Sequence, residues 1–207
     1  DRRDLHSFPA GGCSGLVGAD INAGQLVLAS DAGGVRQQAG RIHASGAAAL
    51  LGSNGDIVVD NAYNRFDGSL LLIGRDIRVA AGDLQLDGVQ ASGDLSLASS
   101  GSIVQRNQIE VDGNARFIAS GDITLQQAGN RFDGDVALQG GVVRISADPG
   151  LSLQGVVADQ LDASTQGALS LSAATVSGDT LLQGGSIALS SIDVGRLDAT
   201  AASGGIT

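Results

Sequence analysis

Asp133 and Asp135 are the first residues to weigh for chemistry. In an extended segment, positions i and i+2 face the same way, so the two carboxylates would stand side by side, as the paired acids of a polysaccharide-cleaving enzyme do. Sixty-six residues earlier the same stretch of sequence carries Asp67 and Ser69, so the pair is not a feature shared by both copies. A lyase would also need a base, and a saccharide groove an aromatic platform. Tyr63 is the only tyrosine, and there is no tryptophan. No catalytic residue is assigned, and the chain is not expected to be an enzyme.

Other constellations fail for stated reasons. Gly52-Ser53-Asn54-Gly55-Asp56-Ile57-Val58-Val59-Asp60 is partway to a Gly-rich nonapeptide calcium repeat, but that motif needs tandem copies so that neighbouring turns share each ion. Here it occurs once and lacks the second glycine. No metal is assigned. His6 and His43 are isolated, and Cys13 has no nearby His or Asp pattern to activate a nucleophile. As the only cysteine, it also excludes an intrachain disulfide. The Gly-Gly pairs at 33–34, 140–141 and 184–185 lack the helix and lysine of a phosphate-binding loop, so no cofactor is assigned.

The clearest signal is a repeat. Asn64-Arg65-Phe66-Asp67-Gly68 returns as Asn130-Arg131-Phe132-Asp133-Gly134. The echo continues downstream, where Leu84-x-Leu86-x-Gly88-Val89 matches Leu151-x-Leu153-x-Gly155-Val156. Upstream, Ile42 matches Ile109. The module is about 66 residues, with copies near 22–63, 64–129 and 130–195; residues 1–21 read as an irregular edge or the end of a preceding module. Phe66 and Phe132 hold one module position, which assigns them to capping a hydrophobic interior at a corner. Asn64, Gly68, Asn130 and Gly134 are the other repeat positions of note.

Composition narrows the elements. The 207 residues include 32 Gly and two Pro, with 43% hydrophobic content and a net charge of −10. All twelve basic residues are Arg, and Glu110 is the only Glu among 22 acids. Aspartate bonds its own neighbourhood in turns, whereas Glu and Lys favour helices. The negative charge opposes binding to nucleic acid and anionic membranes, and no apolar run is long enough to span a bilayer.

From Asn22 on, short apolar alternations such as Leu26-Val27-Leu28, Ile77-Arg78-Val79 and Leu95-Ser96-Leu97 are separated by Gly, Asp, Ser or Asn. Period two signals strands, and the separators signal turns. Ala47–Leu51 has the most helical local composition, but its aligned partner at 115–119 reads as strand, and both are taken as strands. A propeller lacks its aromatic signatures, and a sandwich needs longer strands to pair back. The remaining architecture is all-β: a parallel β-helix of about nine to ten coils, each of roughly 20–22 residues if one module makes three coils.

The pattern N-x-F-x-G-x-[LV]-x-L, at Asn64 to Leu72 and Asn130 to Leu138, resembles the repeat shaft of filamentous haemagglutinin-like exoproteins. Gly34-Val35-x-Gln37 and Gly101-x-Ile103-x-Gln105 are similar to the G-x-I-x-Q element of those proteins, which are two-partner-secretion adhesins that include contact-dependent inhibition proteins. The resemblance covers roughly residues 22–200. It implies a right-handed parallel β-helix serving as a structural shaft in a secreted, cell-surface fibrous adhesin of a Gram-negative bacterium, exported through an outer-membrane partner pore and presenting distal binding or toxin domains. Export motifs and a toxin domain are not seen, and the chain does not begin with Met, so it is expected to be an internal fragment or processed product. The partners expected are that pore, through regions outside this chain, and a host or bacterial surface receptor or glycan. The competing readings are a polysaccharide-processing and a glycan-binding β-helix domain.

Overall fold

The computed structural model describes residues 20–30 and 33–207, together with the backbone of strands Arg3–Ser7 and Ser14–Leu16. Among the described residues every regular element is a strand, and every strand pairing is parallel. About nine turns stack into a β-solenoid.

Each turn has three sides, and each side pairs with the same side of the next turn. On the first side Gln25–Ala29, Ala48–Leu51 and Ser69–Gly74 lie in register, with Leu26 over Ala48 over Leu70 and Leu28 over Leu50 over Leu72. The second side runs through Val35–Gln37, Ile57–Val59, Ile77–Ala81, Leu95–Ser99 and Ala115–Ala119. The third carries Ile21–Ala23, Ile42–Ala44 and Arg65–Phe66. It is continued, through the Gly82 N–H on Asn64 O, by Leu84–Leu86, Ile103–Gln105 and Ile123–Leu125, with Gln85 and Leu86 also pairing across the corner to Ser69 and Leu70. Beyond Val136 the strands run round the corners as single elements: Val136–Ala147, Leu151–Thr165, Ala168–Gly184 and Ser186–Ala201.

Strand alternation decides what goes inside. In Leu95–Ser99 residues 95, 97 and 99 are buried while 96 and 98 are less so, and the same pattern recurs in Ile57–Val59 and Ile123–Leu125. The inward residues form aliphatic columns along the axis, for example Ile103, Ile123, Val143, Leu161 and Thr180. Burying apolar area contributes about 25 cal/mol per Å², and each turn gains it only against the turns above and below, so the stabilisation is spread along the rod. Thr180 is the polar intrusion, its Oγ1 buried with no hydrogen-bond partner among the described residues.

The module does not make three coils. Phe66 is on the third side, paired with Ala44, whereas Phe132 is on the first, in a stack with Val111, Ala91 and Gly74. Likewise Leu70 lies on the first side and its counterpart Val136 on the second, over Ala115. Sixty-six residues therefore wind three turns plus one side. That is about 20 residues per turn rather than the 22 that three coils would need, in keeping with the step of 20 from Ile103 to Ile123 to Val143. Equivalent residues of successive modules face adjacent sides of the rod.

The corners explain the backbone chemistry of the sequence. Gly88 (φ 118°) and Gly155 (φ 78°) occupy the same module position. At each, a register shift lets one strand turn from one side to the next. In later turns the corner of Gly155 is taken by Ala173 (φ 51°) and Ser191 (φ 53°).

Candidate functional site

The repeat positions singled out in the sequence are interior or corner residues. Asn64 and Asn130 are buried, and each side chain closes a polar knot inside a corner. Asn130 Oδ1 accepts from the backbone N–H of Ile109 (3.0 Å) and from Gln105 Nε2. Its Nδ2 donates to Gln105 Oε1 (3.0 Å), Leu125 O (3.2 Å) and Ser146 O (3.0 Å). Asn64 repeats the arrangement with Gln37, Ile42, Val59 and Ala80. A buried amide needs all its hydrogen-bonding groups paired, and here a second amide joins the backbone in answering both ends of the first. The G-x-I-x-Q glutamines and the repeat asparagines, distant in sequence, are thus two halves of one contact.

Phe66 and Phe132 are buried, and Phe132 meets Phe117 edge-to-face at 6.1 Å, a favoured aromatic geometry. Gly134 packs backbone to backbone on the turn before: a Cβ there would stand 2.5 Å from the Gly113 carbonyl oxygen. Beside this glycine column runs a ladder of short side chains. Asp76 Oδ1 accepts from the Asp94 N–H, Asp94 Oδ1 from the Asn114 N–H, and Asn114 Oδ1 from the Asp135 N–H, at 3.0, 2.8 and 3.0 Å. A second ladder runs from Asp83 to Ser102 to Asp122 to Val142. The reach needed is one strand spacing, about 4.8 Å, which a one-carbon acid covers; this accounts for aspartate in place of glutamate.

The candidate carboxylate pair is divided between structural tasks. Asp133 pairs with Arg131, while Asp135 ends the corner ladder and accepts from Ser152 Oγ (2.7 Å). A shallow depression of about 640 Å³ is lined by Asp133 but not by Asp135. In the nonapeptide-like stretch, Asp56 pairs with Arg75 and Asp60 with Arg78. No three His, Cys, Asp or Glu residues among the described residues lie close enough to hold a metal. Cys13 lies outside the described residues, and the side chain of His6 is likewise not described.

One surface feature was not anticipated. Asp20, Asn22, Arg41, His43, Tyr63 and Arg65 line a cleft of about 290 Å³. Register brings them together: Asn22, His43 and Arg65 are successive rungs on the outside of the third side. Asp20 caps the Arg41 N–H (2.8 Å), and that bond holds its carboxyl below the usual carboxylate range. Hydrogen bonds from His43 (2.9 Å) and then Arg65 hold Asp67 low in the same way. Tyr63 stands in the tight turn at 61–64 that leads into Arg65, 80% exposed. The sequence signal for the cluster was the turn length of 21–22 residues here, which an assumed common period obscures.

Among known proteins, a family described as repeats of unknown function (DUF5649) matches residues 12–73 and again 74–139. The chain belongs to this family. No curated protein and no solved structure matches it. The two family matches together take in the Asn64 knot, the Tyr63 cleft and, apart from the Ser146 carbonyl, the Asn130 knot.

Proposed function

We propose that this chain is a shaft segment of a secreted, cell-surface fibrous adhesin, a stiff spacer that carries distal binding or toxin domains away from the cell. The observation that carries the reading is the winding: identical corner chemistry recurs in consecutive modules while the interior stays a continuous aliphatic column. Such a rod can be lengthened by whole modules without altering any one contact. The shared corners Asn64-Arg65-Phe66-Asp67-Gly68 and Asn130-Arg131-Phe132-Asp133-Gly134 support the same reading through their resemblance to filamentous haemagglutinin-like shafts. Export through an outer-membrane pore and display on a Gram-negative surface belong to the proposal.

The test is an in-frame deletion of residues 64–129 within the full-length parent protein. The product should still be exported and displayed, with adhesion retained. The rod should be shorter by about 16 Å at one strand spacing per turn. Intact display with complete loss of adhesion would place the binding activity inside the module and contradict a spacer role.

A further inference from the structure

We propose that the cleft around Tyr63 is a binding site for carboxylated saccharides, of the uronic-acid type. The fold does not require its residues. The second module builds the same corner, with Glu110 on Arg131 where the first has His43 on Arg65, yet places Gln108 and Gly129 where the first has Arg41 and Tyr63. The first module's cleft is therefore decorated beyond what its corner needs.

The decoration has a consistent chemistry. Phe66, Phe117 and Phe132 are buried, whereas Tyr63 is 80% exposed, an apolar ring with a polar tip of the kind favoured at binding surfaces. Two guanidinium groups open onto the same cleft. Among the described residues Arg65 is engaged only through Nε, by Asp67, and Arg41 only through one terminal nitrogen, by Asp20 at 3.4 Å. Both keep further N–H donors in the fork geometry that takes a carboxylate in two bonds. Asn22 and His43 add polar partners for hydroxyls. A ring to stack on, a fork for an acid group and amide and imidazole groups for hydroxyls describe an acidic sugar better than an inorganic anion, which has no apolar face. The volume is at the small end of ligand sites, suited to a short stretch of polymer crossing the rod.

The chain carries its own probe. With one tyrosine and no tryptophan, its ultraviolet emission, excited where phenylalanine does not absorb, reports on Tyr63 alone. Oligogalacturonate added to the whole chain should change that emission saturably. A neutral galacto-oligosaccharide of equal length should bind at least about tenfold more weakly, the loss of a charge-assisted contact, and acetate at the same carboxylate concentration should have no effect. Arg41→Gln and Tyr63→Gly each install the second module's residue, so circular dichroism should be unchanged while calorimetry shows binding weakened about tenfold or more. No saturable response to oligogalacturonate, an equal response to the neutral oligomer or to acetate, or full binding by both variants would each overturn the site. None of these results bears on the spacer reading, which rests on the rod and not on the cleft.

Discussion

At the scale of single residues, the buried amides are the most demanding contacts in the rod. Removing the Asn130 side chain leaves the Ile109 N–H unpaired and takes one bond from each end of the Gln105 amide, which keeps Asn107 O and the Gln127 N–H, and a buried group left unpaired costs about 1–3 kcal/mol. Asn130→Ala should therefore destabilise the chain by about 1–3 kcal/mol in a urea titration. Replacing Asn130 and Gln105 together by leucine should cost clearly less than the sum of the two single changes, because each single change already loses the bonds between the two side chains. Strict additivity would show that the two side chains do not act as a pair. The contrast with Asp133 and Asp135 is instructive: a spacing that suits acid–base chemistry on paper is divided here between an ion pair and a backbone cap.

At the scale of elements, each corner imposes a backbone geometry that the residue type meets or resists. Gly155, Ala173 and Ser191 stack at one corner, all with positive φ, and only glycine adopts that region without a Cβ penalty. Ala173→Gly should raise stability by up to about 1 kcal/mol, the relief of strain exceeding the added flexibility of the unfolded chain. A fall in the urea midpoint would mean that this corner is relaxed with alanine in place. The strands themselves were legible, because apolar residues at i and i+2 between Gly and Asp leave few alternatives, and Ala48–Leu51 and Ala115–Ala119 are both strands. What sequence could not supply was which residues meet across turns. Gln37 and Asn64 lie 27 positions apart and Gln105 and Asn130 25 apart, because the turn length drifts between corners. The same drift hid the Tyr63 cleft, whose residues are ordinary singly and become a site only through register.

At the scale of the whole molecule, three turns plus one side per module means that any surface feature repeated in every module would spiral round the rod, returning to the same side only after three modules. A rod built this way presents its repeats in all directions rather than along one edge, as the proposed spacer role would need. The account depends on in-register stacking, and distances between spin labels test that most directly. Gln85, Val104, Thr124, Arg144, Asp162, Leu181 and Asp198 are successive outward rungs of the third side. With Cys13 replaced by serine, nitroxides at Gln85 and Asp162 should lie about 19 Å apart and at Gln85 and Asp198 about 29 Å, four and six strand spacings, with narrow distributions. Distances that do not grow with the number of turns, or broad distributions for both pairs, would contradict the stacked solenoid.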